Sequence, residues 1–313
     1  MNSSPRVSIL MNCLNGEEYL ADALDSIYAQ TFGHWEIVFW DNNSSDRSAE
    51  IARGYDSRIK YFKSDETYLL GKARNLALAQ AKGPYIALLD VDDLWLPSKL
   101  EYQIALMESD ENIGLVYSDF IFFDDSGEKY NHHSMISPRR GMIFGDLLKN
   151  NFIGTLTMVY RKSYLNKLGL MFNEGFTMVM DFELSLKLAR SYAVDYIDAP
   201  LAKWRRHEKN ESRVKQILSQ EENTEMLSAL IREYPEIEEQ YGKSIASFRK
   251  YISYNFALAE WNAGNHKVAK THLRPYLGNG KILLTAILIT FLNYAQYESV
   301  KSFIKTVLGR IKR

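Results

Sequence analysis

Three carboxylates, Asp90, Asp92 and Asp93, stand within four positions in the stretch ALLDVDDLWLP, directly after an unbroken apolar run. Leu88 and Leu89 read as the end of a buried strand, and Trp95 and Leu96 bury more apolar surface just beyond. Acids crowded there repel one another and lose hydration wherever the surrounding strands cover them, so a positive partner is required. The alternative is a solvated turn in which Asp92 or Asp93 favours the positive end of the next helix. A second strand-like run, Ile37 to Trp40, also stops at an acid, Asp41, followed by Asn42 and Asn43. Those side chains offer acceptors and amide donors suited to the edge of a base and a ribose. Nearby Asp46 has the place of an Asx turn capping a helix from Ser48.

The elements that must position these groups follow from the periodicity. VSILMN, WEIVFW, IKYFKS, YIALLD and IGLVYSDFIFF read as strands. EEYLADALDSIYAQ, SDRSAEIARGY, LGKARNLALAQA and PSKLEYQIALMES read as helices between them. Such alternation implies right-handed crossovers and a mostly parallel sheet flanked by helices, an α/β fold. Ligands of such sheets collect at the carboxyl ends of the strands, which is where the acids lie. From about Gln216 the β-rich runs disappear and helices remain, so the expected domains are 1–215 and a helical region, 216–313. Within the latter, Ala257 to Tyr276 resembles a helical hairpin turning at Gly264.

Composition sets bounds. The chain has 313 residues, 46% apolar and 25% charged, with a formal net charge of -1, so no global basic field favours nucleic acid. The single cysteine, Cys13, excludes an intrachain disulfide framework and fits a reducing compartment. The N-terminal apolar stretch is too short and polar for a secretory signal. The longest apolar run, Ile282 to Leu292, falls below the roughly 20 residues that span a bilayer. A cytoplasmic protein, at most peripheral on the inner face of the membrane, is expected.

Taken in order, VSILMNCLNGEEYLADALDSIYAQTF, EIVFWDNNSSD, KARNLALAQAKGPYIALLDVDDLWLPSKL and MDFELSLKLA resemble family 2 of the glycosyltransferases, whose nucleotide-diphospho-sugar transferase fold is called GT-A. The resemblance covers about Val7 to Ser212. It implies that Asn12, Asn15, Asp41 and Asn42 border the nucleotide, with Arg74 near it, and that Asp90 faces the ribose. It further implies that Asp92 and then Asp93 hold a divalent cation. A nucleotide diphosphate is itself an anion, so it needs a bridging Mn²⁺ or Mg²⁺ to sit against carboxylates, and these ions prefer hard oxygen ligands.

By the same resemblance Asp181, in MDFELSLKLA, is the catalytic base of an inverting displacement, with Met180 where relatives usually carry Glu. The alternative for Asp181 is an N-cap of the helix that follows. In KWRRHEKNES, Trp204, Arg205 and His207 fill the places of an aromatic, an Arg and a His. Arg205 is thereby expected on phosphate oxygens and His207 on the metal or diphosphate. His132 and His133 match no motif and are expected to face solvent.

The implied donor is a nucleotide-diphospho-sugar, UDP-linked in the first instance, and the implied acceptor a glycan or lipid-linked glycan of surface polysaccharide assembly. The closing residues carry Lys301, Lys305, Arg310, Lys312 and Arg313 beside a stripe of Phe303, Ile304, Val307, Leu308 and Ile311, a pattern suited to a membrane surface. Two competing readings are a degenerate GT-A-fold binding or scaffold protein, on account of Met180 and Asn42, and a sugar nucleotidyltransferase. CLNGEEYL, with two acids, stands where the latter needs a basic Gly-rich loop.

Overall fold

The computed structural model describes residues 4–299. The chain divides into two compact units, Met1–Asn210 and Glu211–Arg313.

The first unit is built on one sheet. Its strands are β1 (Val7–Cys13), β2 (Trp35–Asp41), β3 (Ile59–Lys63), β4 (Tyr85–Leu88), β5 (Leu94–Trp95), β6 (Ile113–Asp124), β7 (Gly127–Asn131), β8 (Val159–Arg161) and β9 (Ala193–Arg205). They lie in the order β3-β2-β1-β4-β8-β6-β9-β5, with β7 hairpinned onto β6. The pairs β1–β2, β1–β4, β2–β3 and β6–β9 are parallel, and β8 joins the two groups by antiparallel pairing with β4 and β6. The helices α1 (Leu20–Tyr28), α2 (Ser48–Arg53), α3 (Leu70–Gln80) and α4 (Lys99–Ser109) fill the connections expected from the sequence. Later connections carry α5 (Phe144–Lys149), α6 (Lys162–Leu168) and α7 (Met180–Ala189).

Both faces of β1 and β2 are covered, so their residues are apolar almost without alternation: Val7, Ile9, Leu10 and Met11 pack with Ile37, Val38 and Phe39 in the core. Ser8 is the exception, and its hydroxyl is satisfied by donating to Glu36 at 2.7 Å. Trp95, beyond the acidic turn, is anchored by an indole N–H donated to the Leu156 carbonyl at 2.8 Å. That bond fixes the exit of the turn as firmly as β4 fixes its entry.

The second unit is helical: α8 (Glu211–Val214), α9 (Gln216–Glu233), α10 (Ile237–Asn262), α11 (His266–Leu273) and α12 (Gly280–Phe291). α10 and α11 form the hairpin foreseen around Gly264, which takes φ +84°, a backbone conformation glycine adopts without steric cost. Ala257, Trp261, Ala269, Leu273, Ile282, Ile289 and Tyr297 form its own small core. The apolar α12 leaves Leu283, Leu284, Ile287 and Phe291 exposed. Among the described residues no helix is long and apolar enough to cross a membrane. The basic stripe expected from Lys301 onward lies outside the described residues.

Candidate active site

The acidic turn is reached directly from β4, and the parallel register aligns β4 with β1 at its centre. Asp90, Asp92 and Asp93 therefore leave the carboxyl edge of the sheet together. Asp93 is buried, and burial with Asp92 and Asp90 alongside pushes its carboxyl well above the usual range. Asp92 is raised as well, by burial first and by Asp90 second, while His207 opposes the shift. Such a cluster is short of positive charge.

The neighbours that answer it come from distant segments. His207 Nε2 lies 2.9 Å from Asp92 Oδ2. Arg205 donates its backbone N–H to Asp93 Oδ1 at 3.0 Å, its Nε to the Asp92 carbonyl at 2.9 Å, and its Nη2 to Asp22 Oδ2 at 2.9 Å. Its guanidinium is further sandwiched by the rings of Tyr19 and Phe123. Arg205, expected on phosphate, is thus engaged in holding the acidic turn against the end of β9. Asn210, which no motif pointed to, accepts from the His207 backbone N–H at 2.8 Å and places its amide nitrogen 3.3 Å from Asp92 Oδ2.

The residues present fit a hard divalent cation. Asp92 Oδ2 and His207 Nε2 are hydrogen-bonded to each other at 2.9 Å, and they are the donor pair that would hold the cation in place of the shared proton. Asp93 has one oxygen already taken by Arg205, so it supports the turn from beneath.

Arg74 joins this cluster to Asp181. The side chain is only 3% exposed; Nη2 donates to Asp90 Oδ1 at 2.8 Å and Nη1 lies 3.8 Å from Asp181 Oδ2. α3 is held in place for this purpose. Asn75, beside Arg74, exchanges hydrogen bonds with the backbone of Phe172, and the Gly71 N–H donates to the Phe176 carbonyl. A side chain at Gly71 would strike the Asn173 carbonyl oxygen at 1.8 Å.

Asp181 is the second residue of α7, not its N-cap; Val179 has that place. Its Oδ2 accepts a hydrogen bond from the Thr155 hydroxyl, and its Oδ1 accepts from the Phe182 N–H at 2.8 Å. Thr155 lies in a stretch without readable motifs and was not anticipated; the β8 pairing that carries it there is a long-range event. Met180 is buried.

The residues expected at the nucleotide divide into two kinds. Asn12, at the end of β1, has both amide atoms buried with no hydrogen-bond partner, as a ligand-facing group would. Asp41, Asn42 and Asn15 are engaged internally. Asp41 accepts from the Ser44 N–H and the Tyr61 hydroxyl. Asn42 clasps the backbone N–H and carbonyl of Tyr68, and Asn15 Oδ1 accepts from the Ser45 N–H. Asp46 accepts from the Ser48 N–H at 3.0 Å, the Asx turn read from the sequence.

His132 and His133 correct an expectation. They are half-buried, because the aromatic side chains of β6 partly cover them: His132 stacks on Phe120 and His133 packs edge-on to Tyr117.

Comparison with known proteins bears on the family and the fold. The family described as Glycosyl transferase family 2 matches residues 8–169. The chain is 34% identical over 197 residues to WfgD of Escherichia coli, named a UDP-Glc:alpha-D-GlcNAc-diphosphoundecaprenol beta-1,3-glucosyltransferase, covering 61% of this chain and 73% of that one. It is 36% identical over 131 residues to the putative glycosyltransferase EpsE of Bacillus subtilis, of which it spans 47%. Among solved structures, S. aureus TarS 1-349 in complex with UDP-GlcNAc superposes with a TM-score of 0.66 at 18% identity, covering 97% of this chain and 92% of that one. The mannosyltransferase PcManGT of Pyrobaculum calidifontis, with GDP-Man and Mn²⁺, gives 0.63 at 15%, covering 97% and 88%. The strand order, the acids gathered at the carboxyl edge of the sheet and the matched residues together make this chain a member of glycosyl transferase family 2, an enzyme of GT-A fold.

Proposed function

We propose that the enzyme is a metal-dependent, inverting transferase that moves a sugar from a nucleotide-diphospho-sugar, UDP-linked, to a hydroxyl of a lipid-linked glycan. The observation that carries the reading is the Arg74 bridge, which places Asp181 within one guanidinium of the acidic turn. WfgD, whose name specifies a UDP-linked donor and a diphosphoundecaprenol-linked acceptor, supports the choice of substrates.

In this reading Asp92 and His207 hold Mn²⁺ or Mg²⁺, which when bound neutralises the diphosphate and eases its departure. Asp93 and Arg205 keep the turn rigid, so that Asp92 needs little rearrangement to reach its working position. Asp90, paired with Arg74, presents its second oxygen toward the ribose, and Asn12 offers its unpaired amide to the nucleotide. Asp181 accepts the acceptor's hydroxyl proton as that oxygen attacks the anomeric carbon from the face opposite the leaving group. Thr155 orients the accepting oxygen. Proton transfer of this kind contributes roughly 10²–10⁴-fold, and alignment supplies much of the rest.

A lipid-linked acceptor calls for a membrane surface. The exposed Leu283, Leu284, Ile287 and Phe291 of α12 support peripheral contact there, on the cytoplasmic face.

The experiment is transfer from UDP-sugars to a polyprenyl-diphosphate glycan, with and without EDTA, in wild type, Asp92→Asn and Asp181→Asn. Loss of transfer on chelation, its restoration by Mn²⁺ and loss in both variants are expected. Full activity in the chelated sample would end the metal mechanism, and full activity of Asp181→Asn would end the base assignment.

A further inference from the structure

Away from the acidic turn, three side chains converge that the transfer reaction does not use. Asp119 lies on β6 and is buried; His132 and His133 open the short turn that follows β7. One carboxylate oxygen and one ring nitrogen of each histidine all lie within 4.8 Å of one another. We propose that Asp119, His132 and His133 form a second metal site, selective for a borderline ion of the zinc type and separate from the cation of the sugar donor.

The first argument is hydrogen bonding. The His133 side chain is 7% exposed, yet neither of its ring nitrogens has a hydrogen-bond partner. His132 Nδ1 is buried and unpartnered as well. Buried polar atoms are normally satisfied, and an imidazole sunk among aromatic rings without a partner is the signature of a missing ligand. Asp198 Oδ1 lies 3.6 Å from His133 Nδ1, too far for a hydrogen bond.

The second argument is preorganisation. Asp119 Oδ1 accepts from the backbone N–H groups of both Phe120 and His133, each at 2.8 Å. The carboxylate is thereby fixed in direction, and the turn bearing the histidines is fastened above it. Hydrogen bonds of this kind orient metal ligands.

The third argument is ligand chemistry. Two imidazoles with one carboxylate suit zinc and its neighbours better than Mg²⁺, which prefers oxygen. Zinc bonds of about 2.0–2.2 Å require the three atoms to draw together by roughly an ångström from their present limit. The ion would then tie the exit of the β6–β7 hairpin back onto β6, where Asp119 is in register with Pro200 of β9. It would brace the strand pair whose far end carries Arg205.

The test uses the full chain, stripped by chelation and titrated with Zn²⁺ alone. Wild type, an Asp92→Asn/His207→Ala double variant, His133→Ala and the isosteric Asp119→Asn are compared by calorimetry and metal analysis, with far-UV circular dichroism as the folding control. Wild type and the double variant are expected to retain one tightly bound Zn²⁺, and the other two to bind it at least about tenfold more weakly. Heating the stripped and loaded proteins should show a higher melting point for the loaded form of the double variant. Absence of tight Zn²⁺ binding in the folded double variant overturns the proposal. So does undiminished binding by both Asp119→Asn and His133→Ala.

Discussion

His207 Nε2 lies 2.9 Å from Asp92 Oδ2 although 115 positions separate the two in the chain. The contact exists because Arg205 fastens the end of β9 to the acidic turn, its backbone N–H donating to Asp93 Oδ1 and its Nε to the Asp92 carbonyl, leaving His207 one short step beyond. Replacing His207 by Ala should weaken Mn²⁺ dependence, raising the cation concentration for half-maximal transfer by about 10–100-fold, with less effect at saturating metal. A metal titration of initial rates checks this.

Arg74→Lys preserves the charge but not the fork that reaches Asp90 and Asp181 together. We expect kcat to fall by about 100-fold while the KM for donor changes little, since misplacement by an ångström has that order of cost. Steady-state kinetics at saturating acceptor separates the two parameters.

Thr155→Val removes the hydroxyl that Asp181 accepts from, at nearly constant volume. The bond is to a charged group and of the kind worth about 1.5–3 kcal/mol, so a loss of roughly 10–100-fold in kcat is expected. Thr155→Ser should recover most of it. Equal losses in the two variants would point to packing alone.

Gly71→Ala places a methyl group against the Asn173 carbonyl oxygen, at a point where backbone meets backbone. The helix must shift, and Arg74 shifts with it. Destabilisation of about 1–3 kcal/mol is expected by chemical denaturation, together with reduced kcat.

Lys99 is fully buried over the Trp95 ring, its amine has no hydrogen-bond partner, and burial lowers its pKa well below the ordinary value. The folded state therefore holds fewer protons than the unfolded state at this site. Its contribution to stability rises with pH and levels off only near the unfolded value of about 10.4. Lys99→Met should flatten that dependence and stabilise the protein at pH 7 by about 1–3 kcal/mol, leaving transfer unchanged. Denaturation midpoints across the pH range below 10 check the sign.

Much of the first unit was legible from local pattern. The five strands and four helices read from the sequence are all present, because doubly covered parallel strands are written as continuous apolar runs and helices as periodic ones. The strands that were not read are β5, β7 and β8, which are short, and β9, which is interrupted by Asp195, Asp198 and Pro200. β8 becomes a strand by pairing with β4 and β6, β9 by pairing with β6, and β5 by pairing with β9, partners that no local window contains. Thr155 and Asn210 escaped for the same reason. Their types are ordinary, and only their neighbours make them part of the site.

His132 and His133 show the limit most plainly. A polar loop containing two adjacent histidines reads as solvated, yet the two imidazoles are half-buried because Phe120, Phe122 and Tyr117 supply a wall for them. Residue type and spacing by themselves settled the α/β class, the acids at the strand ends and the family. Which acid meets which base, which arginine is a scaffold and which histidine is sheltered were decided by tertiary structure. Those are relations between side chains a hundred residues apart, and their strength depends on a burial and a distance that one-dimensional order does not carry.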